Sequence, residues 1–168
     1  MRRTMKRRAV CFSLLLCLAA ALPLSRSAPA RAQAAPAATA AHLIVYWGNV
    51  NTPFDPNNPL GLAPVLMFTD RADVATFALE QYFKGPTPDI AAAGFFADVD
   101  TGAITDGKVF TIALDGGVAT VDIVQPIAFF GDLSEGRMAM AITWTLTQFK
   151  TIDSVTILIN GQPLTGLR

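Results

Sequence analysis

The sequence predicts an α+β fold: a two-layer sandwich with a mostly antiparallel or mixed sheet and two helices on one face. Three observations predict it. Two stretches, near residues 70–84 and 135–150, repeat apolar residues at helical spacing, and short β-rich runs flank and separate them. Between the helices, Asp115-Gly116-Gly117 joins two alternating runs as a tight turn. Helices separated by hairpin strands fit two packed layers better than a parallel α/β sheet.

The elements follow in order. His42-Leu43-Ile44-Val45-Tyr46-Trp47 is a first strand, ended by Gly48 and Asn49. Residues 48–61 hold three prolines and four asparagines and form a long loop. Ala63-Pro64-Val65-Leu66-Met67-Phe68 is a second strand, with Pro64 near its start, where a missing amide is tolerated. Asp70 is placed to cap the next helix, with Asp73 in its first turn. Ala75, Leu79, Tyr82 and Phe83 share one helical face, and Gly85-Pro86 ends the helix.

A Gly/Ala/Pro/Asp-rich stretch follows, with a short strand at Phe95-Phe96. The runs from Lys108 to Leu114 and from Val118 to Val124 form a hairpin. In it, Phe110, Ile112 and Leu114 share a face with Ala119, Val121 and Ile123. Asp132 and Glu135 resemble a capping box for a helix reaching Lys150. That helix carries one stripe of Met138, Ile142, Thr145 and Phe149, and a second of Met140 and Trp144 with Arg137 and Gln148. Val155-Thr156-Ile157-Leu158-Ile159 is the last strand, closed by Asn160-Gly161.

The first quarter of the chain reads differently. MRRTMKRR is a basic start, residues 9–24 are apolar, and Ala32-Gln33-Ala34 is a small-residue cleavage pattern. This order predicts a signal peptide over 1–34, cut after Ala34, with an uncleaved anchor as the alternative. Lipidation of Cys17 is disfavoured by Leu14-Leu15-Leu16, where small residues are needed. An Ala/Pro-rich spacer at 35–42 leads into a domain at 43–165. The expected location is therefore extracytoplasmic, with no membrane span left after cleavage.

Charge divides at the same place. Seven of the 13 basic residues lie at or before Arg31, and all 13 acidic ones lie after position 50. From residue 35 onward the balance is 6 − 13 = −7. Such a domain repels nucleic acid and anionic lipid, which excludes both as partners. Both cysteines, Cys11 and Cys17, fall in the leader, so the domain has no disulfide and rests on its core alone. About 120 ordered residues suffice for that, burying roughly two-thirds of the unfolded surface.

The run Ala78-Leu79-Glu80-Gln81-Tyr82-Phe83-Lys84-Gly85-Pro86-Thr87-Pro88, the hairpin from Asp115 to Ile123 and the pair Thr145-Leu146-Thr147-Gln148-Phe149 and Val155–Gly161 occur in this order. Together they resemble the GerMN (sporulation and spore germination) domain family over roughly residues 43–165. The family pattern places a basic residue just after the second strand's Pro-Val, where this chain has Leu66-Met67-Phe68. An anion contact made there elsewhere is not carried over. The resemblance implies an exported bacterial envelope module, akin to ring-building domains, with no enzymatic activity and no cofactor.

The residue inventory agrees with a non-catalytic domain. Nucleophilic catalysis needs a nucleophile beside a base. The domain offers Ser134, Ser154 and one histidine, His42, which reads as a solvated residue at a strand start. One histidine and no cysteine cannot hold zinc. Asp98, Asp100 and Asp106 are a weak calcium set, because Ala103 and Val109 stand where an EF-hand loop wants Gly and Glu. Trp47, Phe54, Met140 and Trp144 are the candidate interaction residues, Trp144 foremost because it lies off the main helical stripe; core packing is the plain alternative for each. The expected role is protein–protein assembly at the envelope, with other envelope proteins or by self-association. The rival is a small-ligand module for a wall glycan or calcium.

Overall fold

The computed structural model describes residues 40–100, 108–124, 127–131 and 133–164. The leader and its cleavage point, most of the spacer, Asp106 and Asp132 lie outside the described residues. The elements are β1 (Ala41–Asn49), β2 (Leu62–Thr69), α1 (Val74–Lys84), α2 (Pro88–Ala92), β3 (Phe95–Phe96) and β4 (Val99–Asp100). They continue with β5 (Phe110–Asp115), β6 (Val118–Ile123), β7 (Ala128–Phe129), α3 (Ser134–Thr147), β8 (Ser154–Ile159) and β9 (Gln162–Pro163). The expected α+β class stands, and the strands divide into three sheets. One has the order β2-β1-β3, one pairs β4 with β7, and one is β5-β6-β8-β9.

The first sheet is antiparallel throughout, with Ile44 opposite Leu66 and Tyr46 opposite Pro64. Alternation sets its faces. Leu43, Val45 and Trp47 are buried beneath α1, while His42, Ile44 and Tyr46 turn outward. The third sheet is mixed: the β5–β6 hairpin is antiparallel, and β6 runs parallel to β8. A parallel pair needs a crossover, and α3 supplies it. The hairpin register is the one alternation predicts, with Phe110 opposite Ile123, Ile112 opposite Val121 and Leu114 opposite Ala119. Gly116 and Gly117 take positive φ at its turn, which a side chain would strain.

Helix α1 begins later than its charges suggest. Asp73, not Asp70, stands at the N-cap, and its side chain makes no cap bond. Arg71 holds that carboxylate through Nε and Nη2, and reaches Glu80 through Nη1 and Nη2. A charge-assisted fork outcompetes a single amide for those oxygens. At the other end Gly85 accepts φ 80° and donates its amide to Gln81 and Tyr82 carbonyls.

Helix α3 packs against both β1 and β8. Met138, Ile142 and Thr145 are buried as one stripe, together with Ala139, Ala141 and Leu146. The helix stops at Thr147 rather than Lys150, and the side chain of the next residue, Gln148, serves β1. The Ile44 amide donates to Gln148 Oε1 at 2.8 Å, and Gln148 Nε2 donates to the Ile44 carbonyl at 2.6 Å. One turn back, the Tyr46 amide donates to Thr145 Oγ1 at 3.2 Å. Along Ala41 to Trp47, side chains of α3 thus stand where a neighbouring strand would.

These bonds differ in cost of removal. Thr145 is fully buried, so Thr145→Val strands the Tyr46 amide away from water. It is expected to lower stability by about 1–3 kcal/mol. Gln148 is exposed, so water replaces it, and Gln148→Ala is expected to cost less, about 1 kcal/mol. Urea unfolding of both variants checks the order, which is wrong if Gln148→Ala proves the more damaging.

Candidate functional site

Four asparagines make the long loop after β1 an ordered one. Asn49 Oδ1 accepts the Asn51 amide, and Asn51 Nδ2 donates to the Ala93 carbonyl. Asn58 both accepts the Leu62 amide and donates to its carbonyl, while the Asn57 amide donates to Asp55 Oδ1. Short amides here mimic backbone and hold the turn. Phe54 stands on this ordered loop at 83% exposure, and Val50, four residues earlier, is exposed as well.

The loop is anchored from below by a buried ion pair. Arg137 of α3 donates through Nη1 to Asp98 Oδ1 at 2.5 Å and through Nε to the Leu60 carbonyl at 2.8 Å. Its guanidinium lies 5.1 Å from the centre of the Phe96 ring. That ring in turn covers Gly48, where an added Cβ would collide with it. Asp98 is 1% exposed. Burial pushes its carboxyl up from the ordinary range, and Arg137 opposes that shift. Among the described residues, the second carboxylate oxygen and the buried Tyr82 hydroxyl have no hydrogen-bond partner. Burial, then the neighbouring Asp98 charge, suppress ionisation of that phenol.

The sequence candidates separate in this frame. Trp47 is 1% exposed, and its Nε1 donates to the Tyr82 carbonyl at 3.2 Å. It is a core residue and not a surface anchor, because it shares the inward parity of Leu43 and Val45. Met140 and Trp144 are half-buried and pack against the core. Trp144 meets Tyr46 edge to face, with ring centres 5.3 Å apart. Of the calcium set, Asp98 is engaged by Arg137, Asp100 is exposed, and Asp106 lies outside the described residues. No group of three potential metal-binding side chains converges among the described residues. His42, Ser134 and Ser154 stand on three separate elements.

The outward face of the first sheet is the apolar surface that sequence reading left unmarked. Leu66 and Phe68 of β2 are 56% and 65% exposed. Across the register they stand opposite Ile44 and His42, and Tyr46 carries the surface on to Trp144. No acidic or basic residue lies between Leu62 and Thr69. The signal was present: β2 alternates exposed Pro64, Leu66 and Phe68 with half-buried Val65 and Met67, so apolar residues occupy both of its faces.

A second feature is a cleft of about 650 Å³ beside the start of α1, lined by Asp73, Thr76, Leu114, Gln148, Phe149 and Lys150 among others. No helix among the described residues is long and apolar enough to cross a membrane.

Comparison with known proteins gives the context for this geometry. Residues 44–165 match the family model described as Germane, sporulation and spore germination. The spore germination protein GerM of Bacillus subtilis (strain 168) is 32% identical over 106 residues. That match covers 61% of this chain and 27% of the relative, so the chain spans about a quarter of the relative's length. Among solved structures, the first GerMN domain of GerM from Bacillus subtilis superposes with a TM-score of 0.51 at 23% identity, covering 73% of this chain and 85% of that one. The superposition supports the fold.

The ion pair yields a test with a defined sign. Arg137→Met leaves Asp98 buried without its cation, a loss of about 3–5 kcal/mol at neutral pH. Without Arg137 the folded-state carboxyl rises further above its unfolded value near 3.9. The folded state then binds the proton more tightly, so the deficit against wild type is smallest below that value and grows as pH rises through the folded one. Denaturant unfolding at pH 7 and pH 4 measures this, and a deficit that widens at pH 4 contradicts it.

Proposed function

This chain belongs to the Germane family of sporulation and spore germination domains, and we propose that it serves as an exported, non-catalytic module that joins proteins at the cell envelope. The observation that carries this reading is the outward face of the first sheet, where Leu66, Phe68, Ile44, Tyr46 and Trp144 form an apolar surface, with His42 at its end, on an otherwise acidic domain. Surfaces of that kind, with aromatic residues at the centre, suit protein contact. Met140 and Trp144 take part through their accessible atoms while also bracing the core, and Phe54 offers a separate, loop-borne contact. The chemistry-bearing residues are few and scattered, which supports a role without catalysis. Export rests on the leader read from residues 1–34, with cleavage after Ala34.

A second reading keeps the small ligand. The cleft beside α1 combines Phe149 and Leu114 with Thr76, Gln148 and Lys150, a mixture that suits a wall glycan. Calcium is the weaker ligand, since Asp98 already faces Arg137. A ligand of the folded state must raise the melting temperature, so cell-wall fragments and Ca²⁺ that leave it unchanged remove this reading.

For the assembly reading, a photo-cross-linking residue is placed at Phe68, at Phe54 and, as control, at Asp115 on the distant hairpin turn. In the exporting cell, adducts are expected at Phe68, and they are expected to fall at least about tenfold when Leu66→Ser weakens the apolar contact. Adducts at neither Phe68 nor Phe54 would sink the reading. Retention of the chain in the cytoplasm would sink its export half.

A further inference from the structure

We propose that the outer edge of β2 pairs with the same edge of a second copy of this chain, antiparallel and centred on Met67. The inference rests on the assembly reading and names its partner. It starts from which backbone groups face outward. Both the amide and the carbonyl of Ile44 are taken by Gln148, and the Tyr46 amide by Thr145, all on the side of β1 away from β2. Pairs of an antiparallel ladder alternate between bonded and non-bonded. Ile44 and Leu66, Tyr46 and Pro64, and His42 and Phe68 are therefore the non-bonded pairs. It follows that Leu66 and Phe68 direct their own amides and carbonyls away from β1, to the outer edge. Pro64 has no amide to offer there.

Among the described residues no strand or helix covers that edge: β2 ends the sheet. Proteins usually blunt such an edge with charge, a bulge or proline. This one carries only Pro64 at one end, no charge across its eight residues, and two exposed large apolar side chains. The nearest charges in sequence are Asp70 and Arg71, and Arg71 is neutralised by Asp73 and Glu80. An edge without charge is one of the few places where two acidic copies can meet without repulsion.

Self-pairing also selects its own register. Centred on Met67, Leu66 faces Phe68 of the second copy, and the reverse. Each of those two pairs exchanges both backbone bonds, and each sets leucine against phenylalanine on the outward face. Centred on Leu66 instead, Phe68 would face Pro64 and its carbonyl would lose a donor. Centred on Phe68, Leu66 would face Asp70. Met67 is thus the centre in this stretch that completes the bonds of Leu66 and Phe68 and sets those two side chains against each other, with Asp70 meeting only Pro64 at the end of the ladder. The two sheets become one across the twofold axis, with both Leu66–Phe68 surfaces on the same side.

The register makes the test specific. In a chain carrying Cys11→Ser and Cys17→Ser, Met67→Cys places two cysteines opposite each other in a non-bonded pair, about 4.5 Å apart at Cα and within disulfide reach. Val65→Cys places its two copies about 13 Å apart, beyond reach. A mild oxidant is expected to link the first variant and not the second. The double variant Leu66→Cys/Phe68→Cys repeats the test should Met67→Cys fold poorly. In sedimentation across a concentration series, the unmodified chain is expected to rise from one to two copies. Leu66→Lys is expected to weaken that dimer at least about tenfold. A strict monomer, or cross-linking of Val65→Cys as efficient as that of Met67→Cys, overturns the inference. If the chain is monomeric yet Phe68 still forms adducts in the envelope, self-pairing fails and the assembly reading stands. If both are absent, both fail.

Discussion

The structure depends on how β1 satisfies its second edge. A strand inside a sheet has two rows of polar backbone groups, and each needs partners. β2 serves one row along its whole length, but β3 reaches only Gly48 and Asn49 on the other. From α3, Gln148 takes the amide and carbonyl of Ile44 and Thr145 the amide of Tyr46 on that row. The helix is therefore fixed in height and rotation against β1 by directional bonds, not by apolar packing alone. Because the same helix packs on β8, that fixing also positions the third sheet. It also closes one side of the first sheet to strand addition and leaves β2 as the open side.

The other end of α3 does related work with different chemistry. Arg137 ties the helix to Asp98 and to the carbonyl of Leu60, so a long loop and the β3–β4 connection share one anchor. A buried pair of this kind adds little net stability, since desolvation offsets most of the attraction. Its effect is on arrangement: the guanidinium accepts only a narrow set of positions for the carboxylate, the carbonyl and the Phe96 ring. Among the described residues, the hydroxyl of Tyr82 and one oxygen of Asp98 stand buried without a hydrogen-bond partner in the same region.

Much of this was legible in the sequence, and the limits have physical causes. Short β-rich runs gave β1 and β2, period-two alternation gave the hairpin with its register, and Gly85-Pro86 gave the end of α1. Four short elements, α2, β4, β7 and β9, went unread because two to five residues carry no period. The Asp98–Arg137 pair joins residues 39 apart and has no local signature. The roles of Thr145 and Gln148 were hidden because a polar residue on a helix looks the same whether it faces water or a strand edge. Asp73 stands at the N-cap without capping because Arg71, two residues away, takes its carboxylate, a competition that cap preference ignores. Trp47 is different. Its alternation with Leu43 and Val45 already placed it inside, and counting it as a surface aromatic set composition above pattern.

Electrostatics then narrows where this domain can make contact. With 6 basic and 13 acidic residues after position 34, two copies, or a copy and another acidic protein, repel at long range. That repulsion is screened over about 8 Å at physiological salt. Close approach is thus decided by what lies within that distance of the touching surface. The 13 acidic residues lie elsewhere than on β2, and burying a carboxylate without a partner costs several kcal/mol. The outward face of β1 and β2 presents none, and it adds apolar area and unpaired backbone groups that gain from being covered. The alternation that turns Leu66 and Phe68 outward on β2 thus also sets the place where contact meets the least electrostatic opposition.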